Sequence, residues 1–143
     1  MDVSGSYTFR APADRVWDLL MSPDAIASCI PGCQSFEADG DDRYRVRLKV
    51  ALAAVTGSYD GVVTLSDKVT RTSYRLTGEG QGHAGFIKGT SDIALRTDGE
   101  TTIVDVKAGV HAGGAIARVG QRLLGSVSKM MLDRFFACLT AKV

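Results

Sequence analysis

Residues 115–140 of the 143-residue chain read AIARVGQRLLGSVSKMMLDRFFACLT. Apolar residues recur there every three or four positions, which is the period of an amphipathic α-helix. The predicted apolar stripe comprises Ile116, Val119, Leu123, Val127, Met130, Met131, Phe135, Cys138 and Leu139. One helix of about 26 residues would be roughly 39 Å long. We therefore expect a single long helix that lies across a whole sheet.

Upstream of this helix the apolar residues alternate with polar ones, which is typical of half-buried β-strands. The clearest case is RYRVRLKV, residues 43–50. Its apolar face carries Tyr44, Val46, Leu48 and Val50, and its polar face carries Arg43, Arg45, Arg47 and Lys49. Further strands are predicted around residues 55–66, 71–79, 84–96 and 101–111. The intervening turns are short, so neighbouring strands should be antiparallel.

A strand and two short helices are predicted before this region. Pro12 suits the first turn of one helix, and Ser22 followed by Pro23 suits the start of the next. Pro31 prevents the second helix from continuing. The order predicts one α+β domain over residues 1–143, with a helix-grip architecture. In it, a curved antiparallel sheet of about seven strands wraps around the long C-terminal helix, and the two short helices follow the first strand.

A sheet and a helix held apart by short helices should enclose an apolar cavity. Strand alternation predicts that its sheet side is lined by Tyr44, Val46, Leu48, Val50, Tyr59, Val63, Tyr74, Leu76, Ile93, Leu95, Val104 and Val106. The helix is expected to contribute Ile116, Val119, Leu123, Val127, Met130 and Met131. Only the tyrosines bring a polar atom to this set, which favours binding of a hydrophobic molecule over catalysis.

The stretch CIPGC, residues 29–33, raises the question of metal or redox chemistry. Zinc ligands usually come in two close pairs, but Cys138, His83 and His111 are dispersed here. The spacing also differs from that of a C-x-x-C redox motif. We interpret the stretch as a bend with no metal site. Three cysteines and no export signal indicate a reducing cytoplasm, where the thiols stay unpaired.

Other features exclude further function classes. GQGHAG, residues 80–85, matches a dinucleotide motif by letter, but predicted strands flank it on both sides, so it is interpreted as a hairpin. The net charge of +1 argues against nucleic-acid binding through an overall positive field. No run of about 18 apolar residues is present that could span a membrane.

Two groups of basic residues leave alternatives open. Arg118 and Arg122 lie near the predicted start of the long helix, and Arg43, Arg45 and Arg47 form a ladder on one strand. Each group is either a solvated face or a surface that meets an acidic partner or anionic lipid headgroups.

Several motifs together resemble the carbon monoxide dehydrogenase G-subunit family of the START-like (SRPBCC) superfamily. They are FRAPADRVWDLL at 9–20, CIPGC at 29–33, YDGVVTL at 59–65, GEGQGHAGFIKG at 78–89, GGAIARVGQRLL at 113–124 and FF at 135–136. The Ile30-Pro31-Gly32 bend and the glycines before the last helix are the more specific part of the resemblance.

The resemblance implies an accessory protein, not a catalytic subunit, associated with a molybdenum hydroxylase of the carbon monoxide dehydrogenase type. The implied ligand is a quinone or lipid, with no covalently bound cofactor and no nucleic acid. The implied location is the cytoplasm, with peripheral contact with the inner face of the cell membrane and its quinone pool. The alternative is an enzyme resembling polyketide cyclases and aromatases, which would use the same cavity to fold a reactive chain.

Overall fold

The computed structural model describes residues 1–51 and 55–143. It consists of a seven-stranded antiparallel sheet, two short helices and a longer C-terminal helix, which confirms the predicted α+β helix-grip fold. The elements are β1 Asp2–Phe9, α1 Ala13–Leu20, α2 Pro23–Cys29, β2 Cys33–Ala38, β3 Arg43–Val50, β4 Gly57–Val69, β5 Ser73–Gly82, β6 Gly85–Asp98, β7 Thr101–Gly113, a 3₁₀ segment Gly114–Val119, and α3 Gln121–Thr140.

The strands β2 to β7 form consecutive hairpins, and β1 pairs with β7 at the far edge. The sheet order is therefore β1-β7-β6-β5-β4-β3-β2. Alternate residues of each strand face the side of the sheet that the helices cover, and the others face solvent. The solvent face carries cross-strand ion pairs, with nitrogen–oxygen distances of 2.9 Å for Arg47–Asp60 and 2.9 Å for Arg75–Asp92.

One half of the space between sheet and helices is a packed core. The apolar face of α1 is buried there, with Trp17 edge-on to Tyr74 at 5.7 Å between ring centroids. From α3, the ring of Phe136 stacks on Tyr7 at 4.3 Å and meets Phe9 edge-on at 6.3 Å. These aromatic rings are large apolar groups, and their burial holds α1 and the C-terminal half of α3 against the sheet.

The predicted single helix over residues 115–140 is wrong at its start. Residues 114–119 form a 3₁₀ segment, and α3 begins only at Gln121. Between them Gly120 has φ = 90°, a left-handed conformation that side chains rarely adopt and that interrupts the helix. Leu124 is buried where Leu123 was predicted, whereas Val127, Met131 and Leu139 of the predicted stripe do face inward. The 20 residues of α3 are roughly 30 Å long.

The expectation that all thiols stay unpaired is also wrong. Cys29 at the end of α2 and Cys138 in the last turns of α3 form a disulfide, with 5.4 Å between their Cα atoms. Cys33 is free. The prediction considered the local spacing of Cys29 and Cys33, whereas the partners that meet are 109 residues apart in sequence. Only the packing of α2 against α3 brings them together.

Candidate ligand cavity

A cavity of about 340 Å³ lies between the inner face of strands β3 to β7 and the N-terminal half of α3. Nine of the predicted lining residues surround it: Val46, Leu48, Val50, Tyr59, Val63, Leu76, Ile116, Val127 and Met131. The prediction missed further apolar residues of the lining, namely Ile30, Val55, Val62, Ile87, Val110 and Leu124. The lining is apolar over most of its surface, as is usual for sites that bind hydrophobic molecules.

Glycines occupy part of the inner face on adjacent strands, where they leave the sheet without side chains. Gly61 of β4 is opposite Gly80 of β5, and Gly78 of β5 is opposite Gly89 of β6. All four line the cavity. A Cβ built on Gly78 would come no closer than 4.0 Å to any other atom, at the Val62 carbonyl oxygen. The missing side chains of Gly78 and Gly80 therefore contribute to the empty volume, which alternation of apolar residues alone does not reveal.

Nine other predicted lining residues lie elsewhere, and the prediction is corrected for them. Tyr74, Ile93, Leu95, Val104 and Val106 belong to the packed core or lie against it, since α1 and the C-terminal half of α3 fill that half of the sheet. The ring of Tyr44 stacks on that of Phe36 in β2, with 4.8 Å between the ring centroids. Val119 packs beside the cavity against the cluster around Ile116. The remaining two, Leu123 and Met130, are half-buried off the lining, and their neighbours Leu124 and Met131 face the cavity instead.

The cavity contains few polar groups. The Tyr59 hydroxyl donates a hydrogen bond of 2.7 Å to the carbonyl oxygen of Val55, and burial raises the pKa of this phenol. The hydroxyls of Ser91 on β6 and Ser128 on α3 also reach the lining. Glu79 contributes to the wall, but its carboxylate is 4.0 Å from the ammonium of Lys88 on the opposite face of the sheet. The described lining thus offers neutral hydroxyls and no inward-facing acid–base pair.

The arginine ladder on β3 is paired with acidic residues. The Asp39 carboxylate is 3.5 Å from Nε of Arg43 and 3.1 Å from Nε of Arg45. The Asp60 carboxylate is 2.9 Å from Nε of Arg47. These exposed pairs reduce the positive field of the face, which agrees with the solvated alternative.

Arg118 and Arg122 stand apart from the ladder. The first lies in the 3₁₀ segment and the second in α3, on either side of Gly120, and both are exposed. They make no ion pair with any other residue that the structure describes.

The remaining candidates are a metal site, the GQGHAG motif and a membrane-spanning helix. Across residues 1–51 and 55–143, no group of three or more His, Cys, Asp or Glu side chains could hold a metal ion. GQGHAG is the hairpin between β5 and β6, as predicted, with His83 and Ala84 at its turn. No described helix has the length and apolar character needed to span a bilayer.

Known families and solved structures that resemble this chain have the same architecture. The family model for the carbon monoxide dehydrogenase G-subunit (CoxG) matches residues 5–143. A conserved protein from Geobacillus kaustophilus, whose crystal structure is known, is 32% identical to this chain. The two structures have a TM-score of 0.95, and the match covers 99% of this chain and 94% of that one. No curated protein matches the sequence.

More distant solved structures share the fold alone. A START superfamily protein from Mycobacterium smegmatis is 12% identical, with a TM-score of 0.74 over 99% of this chain and 96% of that one. The Zhui aromatase/cyclase from Streptomyces sp. R1128 is 18% identical, with a TM-score of 0.70 over 99% of this chain and 92% of that one. The chain therefore belongs to the carbon monoxide dehydrogenase G-subunit (CoxG) family, within the START-like fold.

Proposed function

We propose that this protein is a non-catalytic accessory protein that binds a quinone or lipid in its cavity and links a molybdenum hydroxylase to the membrane quinone pool. The observation that carries the proposal is the apolar cavity, combined with membership of the family. Hydrophobic ligands leave water for such a lining with a gain of roughly 25 cal/mol per Å² of buried apolar surface.

The size of the cavity favours a compact ligand, or one end of a long one. Its volume of about 340 Å³ is at the lower end of the range for small-molecule pockets, roughly 300–1,000 Å³. A quinone would place its ring inside and leave most of a long isoprenoid tail outside. The exposed tail would then remain available to a bilayer or a partner protein.

Filling the cavity tests the ligand part of the proposal. In the variant Gly78→Val the new Cβ would come no closer than 4.0 Å to another atom, and valine is favoured in strands. We expect binding of a short-chain ubiquinone, measured by displacement of a fluorescent apolar probe, to weaken at least about ten-fold, which corresponds to about 1.4 kcal/mol. The thermal midpoint should not fall.

The matched control is Gly109→Val. Gly109 lies on the outer face of β7, has an ordinary backbone conformation and has no other atom within 4 Å of a built Cβ. This variant should bind the probe and the quinone as the unmodified protein does. Equal binding by both variants would show that the ligand does not occupy the cavity. Mass spectrometry of a lipid extract of the purified protein would identify a ligand carried from the cell.

The membrane part of the proposal rests on Arg118 and Arg122, which are exposed and unpaired among the described residues. The double change of both to Glu should reduce co-sedimentation with vesicles of phosphatidylglycerol and phosphatidylcholine several-fold. The control changes Arg10 and Arg134 to Glu, which alters the net charge equally at other exposed positions. An equal loss in both variants would mean that only net charge matters.

The proposed location is the cytoplasm, with peripheral contact with the inner face of the membrane. The Cys29–Cys138 disulfide is the observation least expected in that compartment, because disulfides are rare in cytosolic proteins. Alkylation of free thiols in intact cells, followed by mass spectrometry of Cys138, would show whether the bond forms there. A fully oxidised pair in growing cells would contradict a reducing location.

An enzyme of the cyclase or aromatase kind is the second candidate, favoured by the fold shared with the Streptomyces aromatase/cyclase. General acid–base catalysis needs a titratable group within reach of the substrate. Tyr59, whose hydroxyl is bonded to a backbone carbonyl, is the titratable side chain that faces into the described lining. Incubation with a reactive poly-β-keto thioester distinguishes the candidates, since a cyclised aromatic product would overturn the non-catalytic assignment.

A further inference from the structure

Two serine hydroxyls in the cavity have no hydrogen-bond partner among the described residues. They belong to Ser91 on β6 and Ser128 on α3, and both lie in the lining. Other serines on the helices behave differently: Ser126 donates to the Arg122 carbonyl oxygen at 3.0 Å, and Ser28 donates to the Ala25 carbonyl oxygen at 2.9 Å. Serine in a helix commonly bonds the preceding turn in this way. Ser128 makes no such bond to a described residue, so its hydroxyl is free for a molecule inside the cavity.

Ser91 marks the inner end of the cavity. Along β6 the lining runs through Ile87, Gly89 and Ser91, and the next inward-facing residue, Ile93, belongs to the packed core. On the antiparallel strand β5, Leu76 pairs with Ser91, and the adjacent inward-facing residue on the core side is Tyr74. A ligand that fills the cavity must bring one end close to the Ser91 hydroxyl.

The charges around the cavity limit what that end can be. The one charged residue of the described lining, Glu79, directs its carboxylate to Lys88 on the outer face. No described cation lines the cavity, so a carboxylate or phosphate buried there would lack a counter-charge. Burial of an unpaired charge is strongly unfavourable, whereas a neutral oxygen needs only a hydrogen bond.

We propose that Ser91 and Ser128 form a polar subsite for a neutral carbonyl oxygen on the ring end of the hydrophobic ligand. This inference rests on the proposed function, because it requires that the cavity be occupied by such a ligand. The hydroxyls orient the ligand with its carbonyl-bearing ring toward the inner end and its apolar tail toward the open end. Each hydroxyl donates one hydrogen bond, and a neutral hydrogen bond contributes roughly 1 kcal/mol, or about five-fold in affinity.

The experiment compares three probes of the same ring size. They are a naphthoquinone methylated at both quinone-ring carbons, so that the Cys33 thiol cannot add to it, the corresponding dimethylnaphthalene, and a naphthoate. Dissociation constants are measured by calorimetry for the unmodified protein, for Ser91→Ala, for Ser128→Ala and for the double variant. Ser126→Ala is the matched control, since its hydroxyl is exposed on the same helix and bonded to backbone.

We expect the unmodified protein to bind the quinone more tightly than the hydrocarbon, and the naphthoate least tightly. Each single serine variant should lose roughly five-fold in quinone affinity, while its affinity for the hydrocarbon stays the same. Equal affinities for quinone and hydrocarbon, unchanged in the variants, would overturn the subsite and leave the apolar cavity as the proposed binding site. Failure of both neutral probes to bind the unmodified protein would overturn the proposed function and the subsite together.

Discussion

At the scale of single residues, a polar cluster joins β1 to α3 on the protein surface. The Tyr7 hydroxyl donates to Asp133 at 2.7 Å, and the Lys129 ammonium donates to the same carboxylate at 2.8 Å. The hydrogen bond from Lys129, followed by that from Tyr7, holds the pKa of Asp133 below its ordinary value. The ring of Tyr7 also stacks on Phe136, so the cluster lies at the rim of the packed core.

The variant Lys129→Met should raise the pKa of Asp133 toward its ordinary value, because the larger of the two stabilising hydrogen bonds is removed. Carboxyl carbon chemical shifts followed by NMR titration measure this directly. Since the folded-state pKa is the lower one, any stability contributed by the cluster is present above the unfolded pKa and is lost as the pH falls through the folded pKa. An unchanged titration of Asp133 in the variant would show that Lys129 does not govern it.

At the scale of elements, the boundary between the 3₁₀ segment and α3 positions the cavity. Ile116 in the 3₁₀ segment is almost fully buried, and Leu124, four residues after the break, faces the same cavity. An unbroken helix would follow one helical phase from Ile116 onward and would direct Leu123 inward. The left-handed conformation of Gly120 therefore decides which side of α3 meets the ligand space.

Gly120→Ala should lower the free energy of unfolding by about 1–2 kcal/mol, since a side chain at φ = 90° strains the backbone. Gly109→Ala is a matched comparison, because neither glycine has another atom within 4 Å of a built Cβ and Gly109 has no positive φ. That variant should be neutral or slightly stabilising. Urea unfolding measures the free energy of unfolding of both variants. Equal changes in the two would show that the positive φ of Gly120 does not require glycine.

At the scale of the whole molecule, the Cys29–Cys138 disulfide closes most of the chain into one loop. It joins α2 to the last turns of α3 across 109 residues, and Ile30, the residue after Cys29, lines the cavity. Constraining a loop of this length reduces the entropy of the unfolded chain, with a typical stabilisation of about 2–4 kcal/mol.

Reduction of the disulfide should therefore lower the free energy of unfolding by about 2–4 kcal/mol in urea. The double variant Cys29→Ala, Cys138→Ala should show a similar loss and no further response to a reductant. Cys33→Ser is the control, since Cys33 is free, and it should keep the response of the unmodified protein. Identical unfolding midpoints with and without reductant would show that the bond does not form or does not stabilise the fold.

How far the sequence predicted the molecule depends on the range of the interactions involved. Alternation in RYRVRLKV located β3 and its inward residues, because the direction of a side chain in a strand follows from position alone. The same reasoning could not separate Leu76, which lines the cavity, from Tyr74, which lies in the core. Both face inward, and the difference is set by which helix covers each end of the sheet.

The sequence by itself determined the order of elements, the antiparallel sheet, the family and the apolar character of the inner face, because periodicity and turn residues act over a few positions. Only the tertiary structure decided where the inner face is empty, which α3 residues border the space and which cysteines pair. Those outcomes depend on glycines of adjacent strands coming opposite one another, on the break at Gly120, and on α2 meeting α3. The glycine pairs and the disulfide are contacts between separate segments, and the backbone conformation of Gly120 is not fixed by apolar periodicity, so local apolar patterns carry no record of any of the three.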